Sequence, residues 1–165
     1  GNRTIGTGFF LKLEHRVVVI TNKHVCESVL TANQIKTHEG KILSLIKYSP
    51  KHDLCALSSD AIFGLPLGKQ DPLHLERLSS VGYPKGTKQV YDFRVLYYWK
   101  DTIKPYFENQ LVMVTDFPPV GGSSGSPVFN SDGDVVGVIG ASYTAANRGL
   151  VIPYSELLEF VKTIK

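Results

Sequence analysis

Cysteine occurs only twice in 165 residues, at Cys26 and Cys55, too seldom for the disulfide framework of a small secreted domain. Both are read as buried core thiols, and a reducing compartment is favoured over secretion. No run of apolar residues approaches the roughly eighteen that a membrane-spanning helix requires. No cluster of four or more basic residues tracks a phosphate backbone, and eighteen Lys plus Arg against fifteen Asp plus Glu leave a charge of only +3. Neither membrane nor nucleic acid is an expected partner. CxxC and HxxxH spacings are missing, so no metal site and no cofactor are expected. The chain starts at Gly1 without a Met or a signal-type leader and is read as a processed product or a domain from a longer polypeptide.

At 42% hydrophobic residues the chain can bury a sizeable core. Short β-branched or aromatic runs bounded by Gly, Pro, Asn or Asp recur almost from end to end, and this predicts an all-β domain. The expected strands are 5–13, 16–20, 41–48, 53–58, 78–83, 88–99, 110–115, 127–129, 134–141 and 150–152. Helical periodicity is confined to 155–164, where Ser155 can cap a segment carrying Leu157, Leu158 and Val161. Gly64, Pro66, Gly68 and Pro72 mark a connector, which divides one domain, 1–165, into β lobes at about 1–68 and 74–153.

The segment Gly121-Gly122-Ser123-Ser124-Gly125-Ser126-Pro127 carries the strongest chemical signal. Glycines permit a tight loop that aims backbone N–H groups at one point and presents a hydroxyl beside them, which is the geometry of an oxyanion hole next to a nucleophile. Most Gly-Ser stretches between strands are plain loops, so partners decide. A serine nucleophile needs a histidine base and a third group to fix the imidazole tautomer. Of His15, His24, His38, His52 and His74, His24 follows the apolar run from Val17, which places it at the end of a buried strand where it can face a cleft. Asp53 opens another apolar run, where a buried carboxylate requires hydrogen bonds. Alone, His24 reads as a packed or surface histidine and Asp53 as a turn residue.

Together, Gly6-Thr7-Gly8-Phe9-Phe10, Thr21-Asn22-Lys23-His24-Val25, Asp53-Leu54-Cys55-Ala56-Leu57 and Gly122-Ser123-Ser124-Gly125-Ser126-Pro127 resemble the ordered signatures of trypsin-like serine proteases. The likeness is to HtrA-type protease domains and to compact viral and bacterial relatives. The order His, Asp, Ser, with separations of 29 (24 to 53) and 71 (53 to 124) residues, suits a shortened chymotrypsin-like chain. Gly137-Val138-Ile139-Gly140, Gly149 to Pro153 and the terminal helix extend the likeness over nearly the whole sequence.

The resemblance implies two six-stranded-type antiparallel β-barrel lobes with a short C-terminal helix. It implies Ser124 as nucleophile, His24 as general base and acid, Asp53 as orienting carboxylate, and the N–H groups of Gly122 and Ser124 as oxyanion hole. Ser123 replaces the aspartate that pairs with a newly cut N-terminus, so activation of the trypsin type is not expected. Ser126 replaces the second glycine of the usual Gly-Gly-Pro ending. Substrate-pocket walls fall near Pro118, at Gly140, Ala141 and Ser142, and at Gly149 through Val151. None is acidic, and Ile139 takes the place of the histidine that accompanies Glu or Gln selection, so a small or medium apolar P1 residue is expected. The partner is then a protein or peptide substrate. His52 is expected to be a partly exposed bystander, and Tyr97, Tyr98 and Trp99 are half-buried strand residues or a groove lining. The alternative is a domain of the same fold that has lost catalysis, or that awaits a partner to order its oxyanion loop.

Overall fold

A computed structural model describes residues 7–29, 34–37, 40–82, 87–103, 107–116, 124–143 and 148–164. Strands β1 (Phe9–Lys12), β2 (Val17–Thr21), β3 (Gln34–Lys36), β4 (Ile42–Tyr48) and β5 (Cys55–Leu57) form an antiparallel sheet in the order β1-β2-β5-β4-β3. Strands β6 (Arg77–Gly82), β7 (Gln89–Ile103), β8 (Phe107–Thr115), β9 (Pro127–Phe129), β10 (Val135–Tyr143) and β11 (Arg148–Pro153) close into a barrel. Helix α1 (Lys23–Val29) follows β2, and α2 (Tyr154–Val161) follows β11. The all-β expectation with a terminal helix is met. The second lobe is the closed six-stranded barrel, and the first shows five strands among the described residues.

Side-chain periodicity explains the layering. In β1, Phe9 and Leu11 are buried while Phe10 and Lys12 are exposed, the alternation of a strand with one face covered. All of β2 is buried, because Val18 and Ile20 enter one core cluster and Val19 enters another. The first cluster joins the lobes: Phe9, Leu11, Ile20 and Leu54 pack with Val112, Val138 and Ile152 of the barrel and with Leu157 and Phe160 of α2. Met113, Phe93, Ile139 and Val151 belong to a second cluster, within the barrel. Among the described residues no helix is long and apolar enough to cross a membrane.

The connector is zipped to both lobes. Leu65 donates to the Phe10 carbonyl and accepts from the Lys12 N–H, while Val135 donates to Pro66 and Gly68 to Val135. Asp71, at its end, accepts the Ser155 N–H at 2.8 Å. This corrects the expected Ser155 cap: Pro153 takes the cap position without a side-chain hydrogen bond, and α2 receives its acceptor from Asp71 instead. A carboxylate there also complements the positive end of the helix dipole.

Candidate active site

Strand β2 ends at Thr21, and the chain turns through Asn22 into α1. His24 therefore lies in the first turn of a short helix, not at the end of the strand as expected. Its side chain is one-third exposed, while that of Asp53, from the loop between β4 and β5, is almost wholly buried. His24 Nδ1 and Asp53 Oδ2 are 2.6 Å apart, and the His24 N–H donates to Asp53 Oδ1 at 3.0 Å. The carboxylate thus grips both the main chain and the ring of the same residue. A carboxylate only accepts, so Nδ1 carries the proton and Nε2 is the basic nitrogen. Asn22 Nδ2 donates to the Asp53 carbonyl at 3.0 Å, closing the loop against the turn before His24.

Cys26 and Cys55 form a disulfide, which corrects the expectation of two core thiols. Each lies two residues beyond His24 or Asp53, so the bridge joins the elements that the His24–Asp53 hydrogen bond joins. The bridge sits in the cluster of Val19, Leu43 and Leu57, which explains why both positions looked like core.

Ser124 is half-buried in the turn that leads into β9. Its carbonyl accepts the Thr7 N–H at 2.9 Å, and the Thr7 carbonyl accepts the Thr21 hydroxyl at 2.8 Å. One residue of the N-terminal segment therefore ties Ser124 to the strand end three residues before His24. Gly125 has φ +89° and faces this tie, and a Cβ there would run into the Thr7 carbonyl and Thr21 Oγ1. The turn is sewn to β10 by Gly125 N–H to Ile139 O and Ile139 N–H to Ser126 O. Ser126 is buried, and its hydroxyl has no hydrogen-bond partner among the described residues.

Of the expected pocket walls, Gly140, Ala141 and Ser142 lie on β10 beside Gly149 and Val151 of β11, where Ser142 pairs with Gly149. Gly140 falls at a break in register between Ile139 and Ala141. The Val151 side chain is buried in the barrel core, so its backbone alone can face a substrate. Pro118, Gly122 and Ser123 lie outside the described residues, and with them half of the expected oxyanion hole. Tyr97 and Trp99 are exposed on β7. Tyr98 donates to the Pro72 carbonyl at 2.6 Å, and burial, with the negative charges of Asp71 and Glu76, pushes its phenol well above the ordinary range.

His52 corrects another expectation, because it is buried. Its Nε2 lies 2.6 Å from Glu156 Oε2 on α2. His52, Glu156 and Glu159 bring ligand atoms within 4.8 Å of one another and are the group that could hold a metal among the described residues. Sequence reading did not find the roles of Thr7, Thr21, Asn22 or Glu156, whose partners are distant in the chain. It could have found the disulfide, since Cys26 and Cys55 repeat the 29-residue separation of His24 and Asp53.

A family model described as trypsin-like peptidase domain matches residues 6–138. Among solved structures, the active form of the Rv3671c protease from M. tuberculosis aligns at a TM-score of 0.79 and 21% identity, covering 96% of this chain and 73% of that one. The HtrA-type protease AlgW with a decapeptide aligns at 0.77 and 20%, covering 96% and 51%. The serine endoprotease from Yersinia pestis aligns at 0.70 and 22%, covering 97% and 57%. This chain spans about half the length of the last two.

Proposed function

The chain belongs to the trypsin-like peptidase family, and from that premise we propose that Ser124, His24 and Asp53 form the catalytic triad of this serine endopeptidase. The observation that carries the proposal is the 2.6 Å contact between His24 Nδ1 and a buried Asp53 carboxylate whose other oxygen holds the His24 N–H. Such an acid fixes the tautomer that makes Nε2 the base and stabilises the imidazolium formed as the serine attacks. His24 takes the Ser124 proton, Ser124 Oγ bonds to the scissile carbonyl carbon, and the oxyanion is held by the N–H groups of Gly122 and Ser124. His24 then returns the proton to the leaving amine, and water hydrolyses the acyl-enzyme by the same route.

For specificity, a small or medium apolar P1 residue fits walls from Gly140, Ala141, Ser142, Gly149 and the Val151 backbone, since a Lys or Arg would find no carboxylate among them. AlgW, an HtrA-type protease, is solved with a peptide in place, which supports a peptide or protein substrate here.

A fluorophosphonate probe is expected to label the wild type and not Ser124→Ala. Asp53→Asn, which keeps the shape and loses the charge, is expected to lower kcat by about 10,000-fold. Equal labelling of the wild type and Ser124→Ala would refute the nucleophile, and no labelling of either under any condition would favour a peptide-binding domain. Cleavage of a peptide library with a dominant charged P1 would overturn the pocket assignment.

A further inference from the structure

The loop that carries Asp53 to His24 is fastened largely by groups that do not touch the reaction. Ser49 N–H donates to the Leu54 carbonyl at 2.9 Å. Ser49 Oγ accepts the N–H groups of His52 and Lys51, at 2.8 and 3.3 Å, so residues 49–54 close around one hydroxyl. From the barrel, Gln110 Nε2 donates to the Lys51 carbonyl at 2.8 Å. The His52 ring is held on both sides, with Ser49 Oγ 3.4 Å from Nδ1 and Glu156 Oε2 2.6 Å from Nε2.

Ser49 Oγ already accepts twice, so its own proton points to Nδ1, and Nε2 carries the ring proton and donates it to Glu156. Both nitrogens of a ring only 3% exposed are thereby used. This tautomer also leaves Nε2 no lone pair for a cation. Glu159, 4.0 Å from Nε2 and half-exposed, is too distant to replace Glu156.

We propose that His52 is a positioning residue for the catalytic acid and that Glu156 is its anchor, so that helix α2 holds the peptide unit from which Asp53 reaches His24. The inference rests on the triad assignment above. His52 and Asp53 are joined by one peptide bond, and the peptide is rigid. A ring released from Glu156 frees the His52 side of that shared peptide unit, and the carboxylate that sets the His24 tautomer loses one of the restraints on its position. A misplacement on the order of 1 Å can cost about 100-fold in rate.

Glu156→Gln keeps a carbonyl acceptor for Nε2–H, and Glu156→Ala removes it. At a temperature where near-UV circular dichroism shows all variants folded, Glu156→Ala is expected to lower kcat about 10- to 100-fold. KM should stay within about twofold, because the substrate pocket is not touched. Glu156→Gln should stay near wild type. The His24 Nδ1 proton resonance should move in Glu156→Ala and not in Glu156→Gln. Unchanged kcat with an unchanged resonance in Glu156→Ala, or a loss confined to melting temperature, overturns the proposal. Equal damage from both variants overturns its hydrogen-bond basis in favour of an ion pair or a bound cation. A wild type that the fluorophosphonate fails to label breaks the triad assignment instead, and the His24 resonance then decides by itself whether Glu156 positions the His24–Asp53 pair.

Discussion

The two sides of the proposed active site are fastened by different means. On the acid–base side, His24 and Asp53 are fixed by side chains: a carboxylate that accepts twice, the Asn22 amide, the Ser49–His52–Glu156 relay and a disulfide. On the nucleophile side, Ser124 is fixed by backbone. Its carbonyl meets the Thr7 N–H, its neighbours pair with Ile139, and Gly125 takes a left-handed conformation against Thr7. The difference follows from what each side must do. A tautomer is set by a hydrogen-bonding partner held at a fixed distance, whereas an oxyanion hole built from backbone N–H groups requires the main chain itself to hold its conformation. Damage should follow the same division, with added bulk harming the turn and lost partners harming the acid–base pair.

Gly125→Ala should have the largest effect. The added methyl demands φ +89° of an L-residue and collides with the Thr7 backbone, which cannot rotate away. A loss of about 4 kcal/mol or more is expected, in the tail of single substitutions, together with loss of probe labelling. Denaturant unfolding and labelling measured on the same sample check it, and a stable, reactive Gly125→Ala would show that the turn is not backbone-determined. Reduction of the disulfide comes next. Its 29-residue span implies a stabilisation of about 3 to 4 kcal/mol from the restricted unfolded chain. The unfolding midpoint should fall on addition of a thiol reductant and in Cys26→Ala/Cys55→Ala, with the reductant inert toward that double variant. An unchanged midpoint would remove the covalent element from the acid–base side.

Local pattern made the strands legible. Strand β9 (Pro127–Phe129) has the predicted bounds, and Val17–Thr21 lies one residue from its expected place, because β-branched runs between turn residues depend on nothing distant. The contact between His24 and Asp53 was legible only through the resemblance, since by local pattern each reads as an ordinary residue and the two lie 29 positions apart. Helix α1 was hidden, since Lys23–Val29 places Val25 and Val29 in seven residues without an acidic first turn, and its start is fixed by contacts to Asp53. Strand β3 was missed because Gln34–Lys36 offers one apolar residue and gains its state only by pairing with β4. The cysteines were legible as core but not as a pair, because both are fully buried among Val19, Leu43 and Leu57 and only the fold brings them together. His52 looked exposed because Glu156, which satisfies its ring, lies 104 residues away.

Ser126 gives the smallest and sharpest test of the division between side-chain and backbone fastening. The residue is 1% exposed and its hydroxyl lacks a partner among the described residues. A buried hydroxyl without a hydrogen bond costs about 1 to 3 kcal/mol, whereas its carbonyl, bonded to the Ile139 N–H, is unaffected by what the side chain is. Ser126→Ala removes the orphan oxygen, leaves an unfilled volume of one atom and preserves every backbone bond of the turn. It should therefore stabilise the protein by about 1 kcal/mol and leave the rate of probe labelling unchanged. Unfolding midpoints of the two proteins measure the first and labelling time courses the second. A destabilised Ser126→Ala would mean that the hydroxyl is bonded, and that a side chain, not the backbone alone, holds the nucleophile in place.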